Sequence, residues 1–279
     1  MTHSKTSKDV KYLHGFTPQE QQRLREQAEF AEQTVYRDVN FNDAKNILEV
    51  GCGVGAQSEI LLRRFPKIHL TGIDLNETQL DAAKKHLAQQ PHLNERYELK
   101  KMNAQQMEFG SNQFDGAFLC FVLEHVPNPT QVLSEVRRVL KPGAVVYVTE
   151  VMNHSFFLDP YSPNLWKYWM AFNDYQYDHG GDPFIGAKLG NLLTQVGFKS
   201  IQTTILPWFL DNRQPEKRRE VIEFWNNLLL SARENLIESK YITEEIADGA
   251  VKELLAVRTD PNAVFFFTFM QAKAIVMNY

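Results

Sequence analysis

Short apolar runs alternate with amphipathic stretches along the first half of this chain. Continuous apolar runs at 47–50, 114–121 and 144–151 are typical of strands that are covered on both faces of a sheet. Between them, the stretches 78–90 and 130–140 repeat apolar residues at helical spacing. This alternation predicts an α/β fold around a parallel sheet.

Three further segments lengthen the chain beyond this pattern. They are residues 1–40, 152–185 and 207–262. The first contains a predicted helix over Gln19–Tyr36, and the third contains two, over Glu216–Ser239 and Glu244–Val257. No repeat or low-complexity tract separates them from residues 44–151. We therefore expect one domain over 1–279, with an N-terminal helical arm and two insertions that form a lid.

A glycine-rich turn follows the first strand. It reads Gly51-Cys52-Gly53-Val54-Gly55, and Asp74 ends the next apolar run. Glycine lets the backbone turn sharply and approach a ligand closely, and an acid at this offset can hold the hydroxyls of a ribose. The layout predicts a nucleotide-binding βαβ unit.

Two kinds of nucleotide fit this unit. Gly51, Gly53 and Ala56 satisfy the loose G-x-G-x-x-G/A fingerprint of a nicotinamide oxidoreductase. However, Glu49 lies two residues before the first glycine, where its carboxylate would repel the pyrophosphate of a dinucleotide. The same carboxylate suits S-adenosylmethionine (SAM), which carries an ammonium and a sulfonium group. The sequence therefore favours SAM over a dinucleotide.

Five motifs in this order resemble those of the class I SAM-dependent methyltransferases. The similarity is to the group that includes the ubiquinone and menaquinone C-methyltransferases, and it covers residues 44–151. The motifs are the glycine turn, Asp74, Asn103-Ala104, the segment from Phe121 to Pro129, and Lys141-Pro142-Gly143. The resemblance implies a Rossmann-like, doubly wound sheet of seven strands. We expect the last strand, Ala263–Val276, to be antiparallel and to lie beside Ile201–Leu206.

The resemblance also implies which residues bind SAM. Glu49 would reach the methionine amino group, Asp74 the ribose hydroxyls, and Leu75 the adenine face. The family usually has aspartate where this chain has Asn103, whose amide oxygen can still accept a hydrogen bond from adenine. The full expected set is Glu49, Gly51, Gly53, Gln57, Asp74, Leu75, Asn103, Ala104 and Phe121, with Tyr12 or Gln27 of the arm closing over SAM. For Gln57, a solvated position in the first turn of a helix is an equally good interpretation.

The insertion at 152–185 is rich in aromatic residues. In this fold it leaves the carboxyl edge of the sheet beside the methyl donor, so we expect Trp166, Trp169 or Tyr175 to wall the acceptor site. Packing of these rings onto the sheet is the alternative for each of them. If the acceptor arrives protonated, methyl transfer needs a general base. The candidates are His154 first, then His125 and His179, with Glu150 or Asp159 able to assist.

Composition limits the other possibilities. The net charge is −4, and the one basic cluster, Lys217-Arg218-Arg219, is explained by a solvated helix start. We therefore expect a small-molecule substrate and no nucleic-acid partner. No apolar run approaches a membrane span, no signal peptide is apparent, and the two cysteines suit a reducing cytoplasm. The histidines show no metal-ligand spacing, and a homodimer remains open.

Three other functions remain as alternatives. A methyltransferase of the same fold could act on a protein or peptide side chain, although an enclosed aromatic lid argues against it. A SAM-binding protein could carry out other chemistry, and a nicotinamide oxidoreductase is disfavoured by Glu49. The nucleophile, whether oxygen, nitrogen or carbon, is not determined by the sequence.

Overall fold

The computed structural model of the protein describes residues 14–277. Its strands are β1 (Asn46–Val50), β2 (His69–Asp74), β3 (Tyr97–Lys101), β4 (Phe114–Cys120), β5 (Leu140–Val151), β6 (Phe157–Asp159), β7 (Lys199–Leu210) and β8 (Val264–Ile275). Its helices are α1 (Pro18–Val35), α2 (Ala56–Arg64), α3 (Glu77–Ala88), α4 (Pro129–Val139), α5 (Pro163–Asp178), α6 (Leu189–Gln195), α7 (Pro215–Glu238) and α8 (Glu244–Thr259). The helices predicted in the arm and after residue 207 are therefore present.

The sheet has the strand order β3-β2-β1-β4-β5-β8, and β7 pairs with the other edge of β8. The first five strands are parallel, and β8 is antiparallel to both β5 and β7. The expectation of an antiparallel last strand beside 201–206 is confirmed. As a consequence, the carboxyl ends of β1, β2, β3 and β4 meet along one edge, where ligands of open α/β sheets bind.

The sheet has eight strands among the described residues, one more than the seven that we predict from the family resemblance. The short strand β6 pairs with β8 through Phe157↔Phe266 and Asp159↔Val264. These residues of β8 extend beyond the part that pairs with β5, which begins at Phe269. Because β7 occupies the opposite edge of β8, β6 continues the path of β5 and satisfies backbone groups that would otherwise stay unpaired.

Side chains alternate between two cores, one on each face of the sheet. Ile47 and Phe118 face the core that α1, α2, α5, α7 and α8 build, whereas Leu48 and Leu119 face α4 and α6. Continuous apolar strands are needed because both faces are covered. None of the helices within residues 14–277 is long and apolar enough to cross a membrane.

The two insertions share the first of these cores. Trp225 of α7 stacks on Phe156 with 5.6 Å between ring centroids, and it contacts Phe265 and Phe267 of β8 edge to face. Such aromatic contacts stabilise beyond the area that they bury. The predicted lid is therefore anchored to the sheet through a packed aromatic cluster.

A buried arginine joins α7 to the end of α8. The guanidinium of Arg218, 2% exposed, donates to the carbonyl oxygens of Asp260 at 2.7 Å and Ala263 at 2.8 Å. A cation at the carboxyl end of a helix also interacts favourably with the helix dipole. The sequence predicts that Arg218 is a solvated residue at a helix start. This prediction is wrong, because the side chain of Arg218 is buried in the core.

We expect Arg218→Ala to lower the free energy of unfolding by about 2–4 kcal/mol, because buried carbonyls lose charge-assisted donors. Urea denaturation followed by circular dichroism measures this. Arg219→Ala is the matched control, since Arg219 is largely on the surface and pairs with Glu216, and it should cost less than about 1 kcal/mol. Equal losses in the two variants would contradict the buried-cap assignment.

Candidate active site

The glycine turn between β1 and α2 has the left-handed backbone that its sequence predicts. Gly51, Gly53 and Gly55 have φ angles of 71°, 50° and 78°. The N–H groups of Gly51 and Cys52 donate to the carbonyl oxygen of Ile73 at 2.8 and 3.0 Å, which fixes the turn against β2. A Cβ at Gly53 would meet no atom within 4 Å, so this glycine faces open space above the sheet edge. The turn therefore leaves room for a ligand to approach the backbone.

Asp74 joins the glycine turn to the loop after β2. Its Oδ2 accepts from the N–H of Gly53 at 2.9 Å, and its Oδ1 accepts from the N–H of Asn76 at 2.8 Å. Burial raises the pKa of Asp74, and these backbone donors oppose that rise. A carboxylate has about four lone-pair sites, so it can still accept from the hydroxyls of a ribose.

Glu49 is a buried acid beneath the turn. It is 2% exposed, and its Oε2 accepts from Ser58 Oγ at 2.5 Å. Burial raises the pKa of Glu49 to about 8, the hydrogen bond from Ser58 lowers it, and the charge of Asp74 raises it further. A neighbouring cation would stabilise the carboxylate form of this buried acid, whereas a phosphate would repel it.

Two residues expected to contact adenine follow neighbouring parallel strands. Leu75, directly after β2, is 64% exposed, which is unusual for so apolar a side chain at a sheet edge. Asn103, two residues after β3, is exposed, and its Oδ1 accepts from the N–H of Gln105 at 2.9 Å. Ala104 beside it is half-buried. The structure therefore brings the expected adenine residues to the same edge as Asp74.

The loop after β4 carries strained backbone. Phe121 has a φ of 59°, which is costly for a bulky residue and frequent at functional sites. Its N–H donates to the carbonyl oxygen of Thr149 at 2.9 Å. Glu150 of β5, which is fully buried, accepts through Oε1 from the N–H groups of Val122 at 3.0 Å and Leu123 at 2.7 Å. These contacts hold the loop at the carboxyl edge.

The N-terminal arm contacts the first turns of α2 and α3. Tyr36 Oη donates to Gln57 Oε1 at 2.8 Å, so the side chain of Gln57 is held by the arm. Gln21 Nε2 donates to Gln79 Oε1 in the first turn of α3 at 3.2 Å. Gln27 is half-buried and accepts from Arg23 at 3.1 Å. Tyr12, the other arm residue expected to cover SAM, lies outside the described residues.

The three histidines that are candidates for a general base differ in their exposure and in their contacts. His125 follows Phe121 in the short 3-10 turn Leu123–His125, and its Nε2 lies 3.6 Å from Glu124 Oε1. His154 is exposed, with its ring 6.1 Å from that of Phe184. His179 is exposed at the end of α5, where its Nδ1 lies 2.8 Å from the carbonyl oxygen of Tyr175. The geometry therefore favours His125 over the first-ranked His154.

The three aromatic residues expected at the acceptor site differ in how far they are buried. Trp169 is 2% exposed, stacks on Phe172, and donates from Nε1 to the carbonyl oxygen of Asn153 at 3.0 Å. Tyr175 is 1% exposed and stacks on His179. Trp166 is half-buried and lines a groove of about 500 Å³ between α5 and the start of α8. Trp169 and Tyr175 thus pack in the core, as the alternative interpretation allowed, whereas Trp166 is partly accessible.

Sequence reasoning missed several residues near this edge. His14 approaches Ser231 Oγ at 2.6 Å and Phe172 at 5.6 Å between centroids, and burial lowers its pKa well below the usual value. Glu20 and Arg23 form a buried bidentate pair on α1, with N–O distances of 2.6 and 2.7 Å. The position of Ser58, on the first turn of α2, could have indicated its contact with Glu49. The other contacts join distant segments and leave no local signal.

The chemistry of the site fits a cationic nucleoside. The buried carboxyl of Glu49 matches an ammonium or sulfonium, Asp74 matches ribose hydroxyls, and Gly53 leaves space for the connecting atoms. A dinucleotide would place its pyrophosphate beside Glu49. Among residues 14–277, no group of three or more metal-binding side chains is present.

Comparisons with known proteins agree with this chemistry. A family model described as a methyltransferase domain matches residues 48–148. The demethylmenaquinone methyltransferase of Lactobacillus johnsonii is 30% identical over 177 residues, which are 57% of this chain and 70% of that protein. Sterol 24-C-methyltransferase ERG6A of Gibberella zeae is 35% identical over 112 residues, which are 40% of this chain and 29% of that protein. The chain spans less than half the length of the first curated relatives that it matches.

A solved structure with a similar fold extends the comparison past the matched region. Phosphoethanolamine N-methyltransferase 2 of Haemonchus contortus, in complex with SAM, superposes with a TM-score of 0.55. The sequences are 17% identical, and the match covers 90% of this chain and 53% of that one, so this likeness concerns the fold alone. From the family model, the demethylmenaquinone methyltransferase and the fold together, the chain belongs to the class I SAM-dependent methyltransferases.

Proposed function

We propose that this protein transfers the methyl group of SAM to a small-molecule acceptor. The observation that carries the proposal is the convergence of Glu49, the open glycine turn and Asp74 at one sheet edge, with the arm in contact with α2 and α3 beside it. When bound, SAM supplies an activated methyl group on a sulfonium with a neutral leaving group. The protein then has to position an acceptor in line and exclude water.

The roles of the donor site follow from its contacts. Asp74 accepts from the ribose hydroxyls while it holds Gly53 and Asn76, and Glu49 binds the ammonium. Leu75 offers an apolar surface to one face of adenine, and Asn103 with Ala104 recognises its edge. Gly51 and Phe121 present backbone to the methionine portion. Gln27 belongs to the cover that the arm provides, and Gln57 on α2 is held beside it by Tyr36. For Tyr12 the same role stays a prediction from the sequence.

The acceptor site is formed by segments outside the matched family region. α5, α7 and α8 pack together above the sheet, and we infer that they act with the arm as a lid on a single catalytic domain. Relatives act on demethylmenaquinone and on sterols, which are apolar ring compounds. An aromatic lid suits an acceptor of that kind. The packed lid favours a small molecule over a protein side chain, and the nucleophile is oxygen, nitrogen or carbon.

A protonated acceptor requires a base, and His125 fits that role best among the three candidates. It lies on the carboxyl edge, directly after the loop of Phe121, and is half-buried beside Glu124. His154 and His179 remain candidates for acceptor contacts at the lid. Trp166 remains a candidate for its wall, with Trp169 and Tyr175 supporting it from the core.

Two experiments test the proposal. Equilibrium binding of SAM, S-adenosylhomocysteine and NAD to the purified protein should show binding of the first two only. Incubation with methyl-labelled SAM and an extract of small metabolites, followed by mass spectrometry, should show a labelled product. Binding of NAD, or SAM binding without any transfer to small molecules or peptides, would contradict the proposed methyl transfer.

We expect Asp74→Ala to weaken SAM binding by about 1.5–3 kcal/mol, or roughly 10- to 150-fold in Kd, because charge-assisted hydrogen bonds to the ribose are lost. Isothermal titration calorimetry measures the change. Asp115→Ala is the matched control, since Asp115 also accepts from two backbone N–H groups, of Lys45 and Asn46, but at the opposite edge of the sheet. A similar loss of SAM affinity in both variants would refute the ribose assignment.

SAM binding should release a proton from Glu49. The pKa of Glu49 in the free protein is about 8, so the carboxyl is mostly protonated at pH 7, and a bound ammonium lowers that pKa. Affinity should therefore rise with pH below 8, by up to about tenfold per unit, before the amino group of SAM itself deprotonates. Calorimetry in phosphate and in Tris at pH 6.5–7.5 measures the released proton. Glu49→Gln should abolish the difference between buffers, and equal heats for the unaltered protein would count against this assignment.

A further inference from the structure

Glu124 is held in place by the lid. Its side chain is 7% exposed, and its Oε2 accepts from Gln176 Nε2 of α5 at 2.9 Å. Its backbone carbonyl accepts from the N–H of Asp182, in the segment after α5, at 2.8 Å. Both the main chain and the carboxyl group of Glu124 are therefore fixed by the insertion that covers the proposed acceptor site.

This fixed carboxyl lies beside the candidate base. Glu124 Oε1 is 3.6 Å from His125 Nε2, which is too long for a hydrogen bond but close for a charge contact. At this separation, a buried carboxylate stabilises the cation that an imidazole becomes when it takes a proton.

A second buried acid, Glu150, lies beside Glu124. Glu150 is fully buried, and its Oε2 has no hydrogen-bond partner among the residues that the structure describes. Burial raises the pKa of Glu150 well above its usual value, and the charge of Glu124 raises it further. Two adjacent buried carboxylates repel each other. The amide of Gln176 donates to Glu124 Oε2, whereas Glu150 Oε2 has no such donor among the described residues.

Other ionisable groups surround the pair and His125. From the arm these are His14 and the Glu20–Arg23 pair, from β4 Cys120, from β5 Glu150, and from the segment after α5 the Asp182–Lys188 pair. The two ion pairs are internally neutralised. Of the acids in this set, Glu124 lies with its Oε1 3.6 Å from Nε2 of His125.

We propose that Glu124 is a positioning residue that stabilises the protonated form of His125, and that Gln176 holds it there when the lid is seated. This inference rests on the proposed methyl transfer to an acceptor with an O–H or N–H group. In that step the acceptor proton moves to His125 as the acceptor atom forms its bond to the methyl carbon. The S–CH3 bond breaks with its electron pair on sulfur, and the imidazolium later releases its proton to water.

The test is Glu124→Gln, read by an NMR titration of the histidine ring protons. Loss of one signal in His125→Gln assigns His125. We expect the pH titration of the His125 ring signals to differ between the unaltered protein and Glu124→Gln, because a neutral amide replaces the carboxylate beside the ring. In the methyl-transfer assay kcat at pH 7 should fall roughly 10- to 100-fold. The acidic limb of the pH profile of kcat should change as well, while the Kd for SAM stays unchanged.

Glu150→Gln is the matched control, because its amide oxygen can still accept from Val122 and Leu123 while the charge contact to His125 is intact. It should leave the His125 titration in place. Gln176→Leu keeps the carboxylate but removes its tether, and should lower kcat several-fold without changing SAM affinity. If Glu124→Gln does not fold, Gln176→Leu tests the proposal in its place.

The outcomes separate the two proposals. An unchanged His125 titration in Glu124→Gln, or the same shift in Glu150→Gln, overturns the role of Glu124 whether or not transfer is observed. Because the NMR titration needs no acceptor, it stands even if the unaltered protein binds SAM without transferring the methyl group. That second result overturns the proposed function instead.

Discussion

The carboxylate of Asp74 joins the two loops on which the donor site depends. By accepting from Gly53 and from Asn76, it fixes the glycine turn after β1 to the loop after β2. This is possible because β1 and β2 are parallel and end at the same edge. The left-handed backbone at Gly51 and Gly53 then lets the turn close against Ile73 while its outer side stays open. The geometry of the proposed nucleoside site depends on this constraint.

Buried acids define the electrostatics of the same edge. Glu49 lies in β1, Glu150 lies in β5 and Glu124 lies in the loop after β4, and all three are buried. Burial raises the pKa of Glu49 and that of Glu150. An uncompensated buried carboxyl is costly, and it commonly persists where a ligand or a reacting group uses it. A cationic donor on one side and a protonated base on the other would each be stabilised by such an arrangement.

The division between the matched core and the insertions explains why the donor is better defined than the acceptor. The family model covers residues 48–148, and the helices of the proposed lid, α5, α7 and α8, follow that range. These segments pack through Trp225, Phe156 and Phe267, so their fold is tied to the sheet. One core can serve many acceptors when only the insertions change, which is why the fold alone does not identify the substrate.

Local features of the sequence determined the βαβ unit, the roles expected of Glu49 and Asp74, and the helices of the insertions. Apolar periodicity and glycine conformation act over a few residues, so they can be read without a structure. The antiparallel β8 followed from the family resemblance. Tertiary structure alone decided that β6 extends the sheet, that Trp169 joins the core, and that His154 is exposed while His125 lies beside Glu124. These features depend on contacts between residues far apart in the chain, such as Glu124 with Gln176, and on which of several similar side chains the packing buries.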